Sequence, residues 1–356
     1  MSHAVLKAIA GASGSALVTV VAVRGSTPRD VGSKMAVLPD GSIVGSVGGG
    51  VLEARAIEQA KGCIAAGLSG SLEVELTGAD THGCTPVCGG VADLWIVHVA
   101  DTAPFEAALA RLDQGRVVVL ASQRGGAGCG GAGDVREGPR FTAVLDADGA
   151  LVAGRADPAD AVMAAGAAAA GRAVLSEDAS RFYDPVLPPE CLLVLGGGHV
   201  GRAVAGGAAA LDFQVTIADD RPGFADPDRF PANVAVLQGA YPDLIDRFPF
   251  GPSTYVLVVT PGHLSDLDCA RAVLKKEYRY LGIIGSRRKV RMVMERLVSE
   301  GHDPQRVEAL YSPVGIEIGA QTPEEIAISI LAEMIAVRHR SPALAAMEID
   351  RKRRRG

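Results

Sequence analysis

The second half of the chain alternates apolar strands with helices, and this pattern restricts the possible fold more than any other feature. Its strand candidates are the short apolar runs CLLVLG, QVTIAD, VAVLQG, YVLVVT and YLGIIG. Apolar runs without polar alternation are typical of a parallel sheet that is covered on both faces. Because crossovers between parallel strands are right-handed, the pattern predicts an α/β fold with a doubly wound, Rossmann-like domain over residues 191–345.

A long helix with a strong start signal follows these strands. Thr322 is a favourable cap residue, Pro323 suits the first helical position, and Glu325 completes a capping box. The sequence therefore predicts a helix from Pro323 to about Arg338.

The first half mixes strand, turn and helix signals, and it predicts an N-terminal mixed α/β domain over residues 1–175. ALVTVVAV predicts a buried strand, and the turn signal Pro39-Asp40-Gly41 predicts a hairpin. The glycine run GSVGGG opens a helix that we expect to stop at Gly62. Residues 176–190 are polar and proline-rich and predict a linker, and residues 346–356 predict a solvated, frayed basic tail.

Composition and charge exclude several classes of protein. The 356 residues are too many for one ordinary core, and a hydrophobic content of 48% is sufficient for two domains. A formal net charge of −6 argues against a nucleic-acid-binding protein. No signal peptide is predicted, and the longest uncharged apolar stretch, residues 161–171, is much shorter than the roughly 18 residues of a membrane span. We therefore expect a cytoplasmic protein with no membrane or nucleic-acid partner and, from its scattered cysteines, no disulfide framework.

The loop LGGGHVGRA lies between a predicted strand and a predicted helix, where dinucleotides bind in Rossmann domains. Gly196, Gly198 and Gly201 match G-x-G-x-x-G, in which glycines let the backbone approach a pyrophosphate at a helix N-terminus. Asp219 ends the next strand, near the expected position of a ribose-binding acid, and Arg221 would favour a 2′-phosphate instead. The alternative is a tight turn without a ligand.

Two further loops follow strands of the predicted parallel sheet, at the edge where ligands bind. TPGHLSD contains His263, a possible donor to a ligand; alternatively, Ser265 or Asp266 caps the next helix and His263 is merely exposed.

The second loop, IIGSRRKV, places Ser286 as a helix cap. Arg287, Arg288 and Lys289 follow it directly. Cations oppose the helix dipole at this position, so a bound anion would explain them. The alternative is a group of solvated side chains.

The N-terminal domain repeats the arrangement of strand, glycine cluster and helix. Gly48, Gly49 and Gly50 form a candidate anion-binding nest, which Arg29 or Lys34 would complete. Close packing of the glycines and solvent exposure of the cations are the alternative explanation.

Cys84 and Cys88 have the spacing C-x₃-C in the segment HGCTPVCGG. One such pair does not make a zinc site, and no metal is predicted here. A glycine-flanked loop suits a soft ligand or sulfur chemistry on an accessible thiolate, whereas the alternative is a pair of small, semi-buried thiols. The other cysteines, Cys63, Cys129, Cys191 and Cys269, are interpreted as structural or incidental.

No catalytic residue can be assigned from the sequence. It shows no recognisable Ser/His/Asp triad, paired-carboxylate site or H-E-x-x-H metal helix. Because triads are assembled in space, this weighs only weakly against a hydrolase.

Taken together, these segments resemble the XdhC/CoxI family, the accessory proteins of molybdenum hydroxylases such as xanthine dehydrogenase and carbon monoxide dehydrogenase. The N-terminal matches are GSTPRDVGSKM, GSVGGGVLEA and CGG. The C-terminal matches are LGGGHVGRA, ADDRPGFADPDRFP, TPGHLSD, YLGIIGSRRK and GIEIGAQTPEEIAISILAEMIA. They occur in the family's order and span most of the chain.

The resemblance implies a binding and delivery protein rather than an enzyme. Such proteins bind the molybdenum cofactor, as molybdopterin or its dinucleotide form, protect it during sulfuration beside a cysteine desulfurase, and deliver it to the apoenzyme. The family's cysteine before two glycines matches Cys88, and its arginine after Ser-x-Pro matches Arg29. The segment CTPVC departs from the family's shorter form, so Cys84 is implied only as a second thiol. We also expect a homodimer.

A second hypothesis is an NAD(P)-dependent oxidoreductase. It rests on Gly196, Gly198, Gly201 and Asp219, and it requires a proton donor near the nicotinamide. His199 and His263 are the candidates.

Overall fold

Residues 2–76, 89–125 and 138–355 are described in a computed structural model. Within this part of the chain, the side chains of His263 and of residues 351–355 are not described. The chain divides into two compact units, of which the first ends at Pro188 and the second begins at Pro189. The fold is α/β, and the predicted fold class is confirmed for both halves.

The first unit contains two antiparallel sheets, with strand orders β3-β2-β1-β5-β4 and β8-β7-β6-β10-β9. Its elements in chain order are α1 (Ser2–Ala10), β1 (Ser15–Arg24), β2 (Lys34–Val37), β3 (Ile43–Gly45), α2 (Gly50–Ala66), β4 (Gly70–Glu75), β5 (Val91–Val99), α3 (Ala103–Asp113), β6 (Val118–Arg124), β7 (Pro139–Asp146), β8 (Leu151–Gly154), α4 (Pro158–Ala170), β9 (Val174–Leu175) and β10 (Arg181–Val186). The predicted hairpin is the pair β2–β3, with Gly41 in its turn.

The first sheet is covered on both faces, which explains why ALVTVVAV is apolar throughout. Ala16, Val18 and Val20 of β1 pack into the same buried cluster as α2. Leu17 points the other way, into a cluster formed with α1, α3 and the second sheet. Successive side chains of a strand face opposite sides of the sheet, so two covered faces require a continuous apolar run.

The predicted end of α2 at Gly62 is wrong. The helix continues to Ala66 and ends at Gly67, which has a φ of 64° and donates its N–H to carbonyls of the last turn. A Cβ at Gly62 would meet no atom within 4 Å, so this glycine occupies an open helix surface. Glycine at such a position weakens a helix by about 1 kcal/mol without stopping it.

Two segments that we predicted to be irregular have regular structure. The predicted linker, residues 176–190, contains β10, which pairs with β6 along its whole length. The predicted frayed tail belongs to a helix, α11 (Ala343–Arg355). In β10, Phe182 and Tyr183 are buried, so tertiary packing outweighs the local proline and charge signals.

The second unit contains one parallel sheet with the strand order β13-β12-β11-β14-β15. Its further elements in chain order are β11 (Cys191–Leu195), α5 (His199–Ala210), β12 (Gln214–Asp219), β13 (Ala235–Gln238), α6 (Tyr241–Arg247), β14 (Thr254–Val258), α7 (His263–Val273), β15 (Tyr280–Ile283), α8 (Arg287–Ser299), α9 (Pro304–Glu308) and α10 (Pro323–Arg338). No helix in the described part of the chain is both long and apolar enough to cross a membrane.

Helices cover both faces of this sheet, as a doubly wound fold requires. Leu192 and Val194 of β11 pack against α5 and α10. Leu193 and Leu195 pack on the opposite face, against α6, α7 and α8. The predicted capping box of α10 is confirmed, because Thr322 and Glu325 exchange hydrogen bonds between side chain and backbone.

Candidate functional site

The crevice of the second unit lies where the order of its strands reverses. The chain runs from β11 outward through β12 to β13, and then returns to β14 on the other side of β11. The loops that follow β11 and β14 therefore leave in opposite directions and border a crevice. Ligands of open α/β sheets bind at this position.

The glycine loop after β11 is tightly fixed by its surroundings. Gly196 has a φ of 119°, and a Cβ there would lie 2.5 Å from the Val259 carbonyl oxygen. A Cβ at Gly201 would lie only 1.9 Å from the carbonyl oxygen of Gly196. These two glycines are needed for the fold itself, since any side chain would collide with backbone.

Gly198 differs from its neighbours because it faces open space. It caps α5 without a side-chain hydrogen bond, and a Cβ there would meet no atom within 4 Å. The helix N-terminus behind it has free N–H groups. The loop thus has an accessible backbone where a phosphate would bind, although binding itself stays a prediction.

The carboxylate of Asp219 is hydrogen-bonded to other groups of the protein. Its buried carboxylate accepts hydrogen bonds from the Gly197 backbone N–H at 2.7 Å and from Arg221 Nη2 at 2.8 Å. Burial acts to raise the pKa of Asp219, but the hydrogen bonds from Arg221 and from the backbone prevail, so its pKa is lowered. A ribose hydroxyl would therefore have to compete with Arg221 for this carboxylate.

The segment after Asp219 folds back over the glycine loop. The guanidinium of Arg221 lies 3.7 Å from the centroid of the Phe224 ring. Arg229 donates to the Gly197 carbonyl oxygen at 3.1 Å, and a Cβ on Gly197 would lie 2.3 Å from the Phe224 carbonyl oxygen. The sequence predicts no role for Phe224 or Arg229, which belong to the family-matched segment ADDRPGFADPDRFP.

The first turns of α7 and α8, which follow β14 and β15, are joined by an ion pair whose acid is buried. Asp266 is fully buried, accepts a hydrogen bond from Thr260 Oγ1 at 2.5 Å, and pairs with Lys289 Nζ. Lys289 is therefore not available as a free cation for an anionic ligand, which corrects our interpretation of SRRK. The cap of α7 is Gly262, so neither Ser265 nor Asp266 has the capping role that we considered. His263 begins α7, and its side chain lies outside the described atoms.

Ser286 caps α8 as the sequence predicts. Its Oγ lies 3.4 Å from the backbone nitrogen of Lys289, and Arg287 and Arg288 are exposed beside it. Arg287 and Arg288 thus remain as exposed cations at this helix start, and an anion bound beside them stays a prediction.

The first unit holds the second glycine cluster. Gly48, Gly49 and Gly50 have φ values of 142°, 72° and 56°, and α2 begins at Gly50. A Cβ on Gly49 or Gly50 would meet no atom within 4 Å. Glu53 in the first turn accepts a hydrogen bond from Ser46 Oγ at 2.5 Å, so an anion here would need a nearby cation.

Three motifs of the first unit converge at this cluster. Pro28, the neighbour of Arg29, approaches Gly48 so closely that a Cβ there would lie 2.8 Å from its ring. On the other side of the same loop, a Cβ on Gly90 would lie 2.4 Å from the Ser26 carbonyl oxygen. Arg29 is exposed. The segments GSTPRD, GSVGGG and the end of CGG are therefore neighbours in space.

Lys34 does not take part in this candidate site. It is buried, and its Nζ lies 2.8 Å from Asp184 Oδ2 and 2.8 Å from the Gly32 carbonyl oxygen. Arg29 is the cation of this sequence segment that remains exposed.

Cys84 and Cys88 lie outside the described residues. Cys88 directly precedes Gly89 in the chain. Gly89 lies close to Gly25, because a Cβ on Gly25 would be 2.9 Å from the Gly89 carbonyl oxygen. Cys191 and Cys269 are free thiols. Cys63 is buried on α2 and takes part in a disulfide, which we did not predict.

The fold and these sites define a two-unit α/β protein with a glycine-loop crevice in a C-terminal Rossmann domain. Residues 192–334 match the family model of the XdhC Rossmann domain, and residues 9–75 match the model of the XdhC and CoxI family. The two models together cover more than half of the chain. The chain belongs to the XdhC/CoxI family.

Several curated relatives extend these matches. The molybdenum cofactor insertion chaperone PaoD of Escherichia coli (strain K12) is 24% identical over 94% of this chain and 86% of its own length. A probable xanthine dehydrogenase subunit of Bacillus subtilis (strain 168) is 31% identical over 45% of this chain and 46% of its own length. The uncharacterized protein YqeB of Escherichia coli (strain K12) is 27% identical over 92% of this chain. The match covers 44% of YqeB, so this chain spans less than half the length of two of these relatives.

A solved structure has the same fold. A crystal structure described as a xanthine dehydrogenase from Bacillus halodurans matches with a TM-score of 0.76 and 24% identity, over 95% of this chain and 96% of the other. At this identity the likeness shows the fold alone.

Proposed function

We propose that this protein is an accessory protein of a molybdenum hydroxylase, which binds the molybdenum cofactor as cargo, supports its sulfuration and delivers it to the apoenzyme. The observation that carries the proposal is the convergence of the segments GSTPRD, GSVGGG and CGG in the first unit. This convergence combines an open glycine nest with a cation and with the segment that carries a thiol. The relative named as a cofactor insertion chaperone supports it.

The nest and Arg29 suit the phosphate end of the cargo. Successive backbone N–H groups in turn conformations form concave anion sites. Gly49 and Gly50 leave the space at this turn free of side chains. Arg29, the neighbour of Pro28, adds a planar donor for phosphate oxygens. Together these groups bind a phosphate without any catalytic group.

Cys88 is proposed to approach the sulfur-rich end of the cargo. Soft thiolate ligands suit a soft, sulfur-rich metal centre, and the dithiolene of the cofactor already binds the metal. One protein thiolate is therefore sufficient, and Cys84 has a role only if the two thiols act as a pair. A cysteine desulfurase and the apoenzyme are the proposed partners, and we propose a homodimer as the functional state.

The crevice of the second unit is proposed to bind a nucleotide. The open backbone at Gly198 and the free cations Arg287 and Arg288 suit a phosphorylated ligand, such as the nucleotide end of a dinucleotide cofactor. The same open backbone is the observation that favours the second candidate function, an NAD(P)-dependent oxidoreductase.

The decisive experiment is purification after co-expression with the cofactor biosynthesis enzymes, followed by molybdenum and pterin analysis. We expect the wild-type chain to carry both, and Cys88→Ala to lose most of the bound molybdenum and to lower the activity of a co-expressed molybdenum hydroxylase. Cys191→Ala, which changes a free thiol of the second unit, is the matched control and should retain both. Full molybdenum content and client activity with Cys88→Ala would remove this thiol from the proposal.

A binding and turnover experiment with NADH and NADPH distinguishes between the two candidate functions. NADH and NADPH are titrated by their fluorescence, and their oxidation is then followed with candidate acceptors. Binding with turnover supports an oxidoreductase, whereas binding without turnover, together with cofactor in the purified protein, supports the accessory role.

A further inference from the structure

A groove in the first unit is lined by none of the motifs that led to the proposed function. It has a volume of about 700 Å³, which lies in the range of about 300–1,000 Å³ that small-molecule sites occupy. It lies where the end of β5 and the start of α3 meet β7 and the β8–α4 connection. We call it the sheet groove.

One wall of the sheet groove is apolar. Phe105 and Phe141 line it, and their rings contact each other with centroids 4.6 Å apart. Val97 and Val99 lie beside them and are buried. Such a wall favours a ligand with a flat, apolar body, because aromatic rings pack well in offset contact.

Polar side chains from neighbouring strands line the rest. Arg140, Gln123 and Arg181 are direct partners across β7, β6 and β10, so they share one face of the second sheet. Arg140 Nη2 donates to Gln123 Oε1 at 3.4 Å, and Arg155 follows β8 at the rim. Within residues 2–76, 89–125 and 138–355, neither Arg140 nor Arg155 forms an ion pair.

The acids that line the groove already have partners within the protein. Arg181 pairs with Asp157 at 2.7 Å and with Asp160 at 2.5 Å. Both acids also accept backbone N–H groups in the capping box of α4, and Asp160 accepts the Tyr183 hydroxyl at 2.7 Å. Asp101, the third acid in the lining, accepts the backbone N–H of Ala103 at 3.0 Å. Each of the three acids therefore has a hydrogen-bond partner, whereas Arg140 and Arg155 have no ion-pair partner within the described residues.

The sheet groove and the glycine nest face opposite sides of the first sheet. Leu94 and Ile96 of β5 pack in the cluster that contains α2, which begins at the nest. Val97 and Val99 pack in the cluster on the other face and line the groove. The groove is therefore a separate site and not an extension of the nest.

We propose that the sheet groove binds a small organic anion that carries a flat ring, such as an aromatic carboxylate or phosphate. The ring packs against Phe141, and the acidic group accepts hydrogen bonds from Arg140 and Arg155. Two charge-assisted contacts determine the charge of the ligand, and the aromatic wall determines its shape. This site goes beyond the binding of the molybdenum cofactor and does not depend on it.

The test is a fluorescence titration of the full chain with 2-naphthoate. We expect saturable binding that weakens about tenfold or more in Arg140→Gln and in Arg155→Gln, the effect of losing one charge-assisted hydrogen bond. Arg116→Gln, at an exposed arginine outside the groove, is the matched control and should bind as the wild type does. Melting temperatures of all three variants verify their folding.

Two further ligands test the two parts of the proposal. 2-Naphthalenemethanol has the ring without the charge, and acetate has the carboxylate without the ring, so each should bind at least tenfold more weakly than 2-naphthoate. Equal binding of 2-naphthoate by the wild type and by the double variant Arg140→Gln/Arg155→Gln would overturn the site. If acetate bound as tightly as 2-naphthoate, the requirement for a ring would be overturned. Because the test contains no molybdenum, its failure leaves the proposed function unchanged.

Discussion

At the scale of single residues, the glycines of the second unit have different physical functions. Gly197 is in contact with backbone, since a Cβ there would lie 2.3 Å from the Phe224 carbonyl oxygen. Gly198, one position later, faces open space. Substitution at the first position therefore disturbs the fold, whereas substitution at the second disturbs only what approaches from outside.

We expect Gly198→Val to fold and to lose affinity for nucleotides. The new side chain occupies the space through which a pyrophosphate would reach the backbone. Calorimetry with ADP and NADH measures the affinity, and the melting temperature is expected to stay close to that of the wild type. Gly197→Val is the comparison and should lower the melting temperature. If Gly198→Val bound both nucleotides with unchanged affinity, the assignment of this loop as a binding site would be wrong.

The acid stability of the chain is expected to depend on Asp219. Its pKa lies below the ordinary value near 3.8 in the folded state, so its contribution to stability is present above that value and is lost as the pH falls through the folded pKa. The free energy of unfolding should thus differ most between wild type and Asp219→Asn near neutral pH. Urea titrations between about pH 7 and pH 3 measure this difference. A difference that stays constant over this range would contradict the prediction.

At the scale of elements, buried ion pairs join parts that are distant in sequence. Lys34 on β2 and Asp184 on β10 connect the two sheets of the first unit, and both are buried. Burial raises the pKa of Asp184, which Lys34 opposes. Asp266, which is buried, and Lys289, which is partly exposed, similarly join α7 to α8. Such pairs fix the relative position of elements and need both partners, because a single buried charge is costly.

We expect Lys34→Met to destabilise the protein by about 3–5 kcal/mol, because it leaves Asp184 buried without its partner. The double variant Lys34→Met/Asp184→Leu should recover most of this loss. Lys61→Met, at an exposed lysine of α2, is the control and should change little. Denaturant unfolding measures the free energy of unfolding of all three variants. A double variant as unstable as Lys34→Met would contradict the prediction, because the loss would then not come from the unpaired charge of Asp184.

The start of α8 permits a test that separates ligand binding from helix stability. The double variant Arg287→Glu/Arg288→Glu should weaken the binding of ADP and make the residual binding less sensitive to salt. Acidic residues in a first turn stabilise a helix by about 0.3–1 kcal/mol, so the melting temperature should not fall. Calorimetry over a series of salt concentrations measures the binding, and thermal unfolding measures the stability. An unchanged affinity at every salt concentration would leave these arginines as solvated side chains.

At the scale of the whole molecule, the chain consists of two units with separate cores. The buried clusters of the second unit contain only residues after Pro189, and those of the first contain only residues before Pro188. Glu190, at the start of the second unit, binds Arg338 and Arg279 and accepts the Tyr255 hydroxyl. A fragment that begins at Pro189 keeps all of these contacts.

We expect residues 189–356 to fold alone with a cooperative thermal transition. A fragment of residues 197–356 lacks β11, the central strand of the sheet, and should not fold. Circular dichroism of the two fragments measures the difference. A non-cooperative transition of the longer fragment would mean that the second unit depends on the first for its stability.

Features that arise from local patterns could be predicted from the amino-acid sequence alone. Apolar runs separated by helices predicted the parallel sheet, Gly196, Gly198 and Gly201 predicted the loop at its crevice, and Thr322 with Glu325 predicted a capping box. Each of these depends on backbone geometry or on the periodicity of neighbouring residues, which a sequence displays directly. Family motifs that occur in order along the chain likewise indicated the family.

Which polar side chains are available to a ligand depends on contacts between distant parts of the chain. Lys34, Lys289 and Asp219 look like ligand-binding groups in the sequence, yet each has a partner within the protein. The strand Arg181–Val186 and the sheet groove also escaped prediction, because pairing and packing across more than 50 residues produce them. The energy of a charge depends on the neighbours that the fold brings to it, and local sequence does not contain those neighbours.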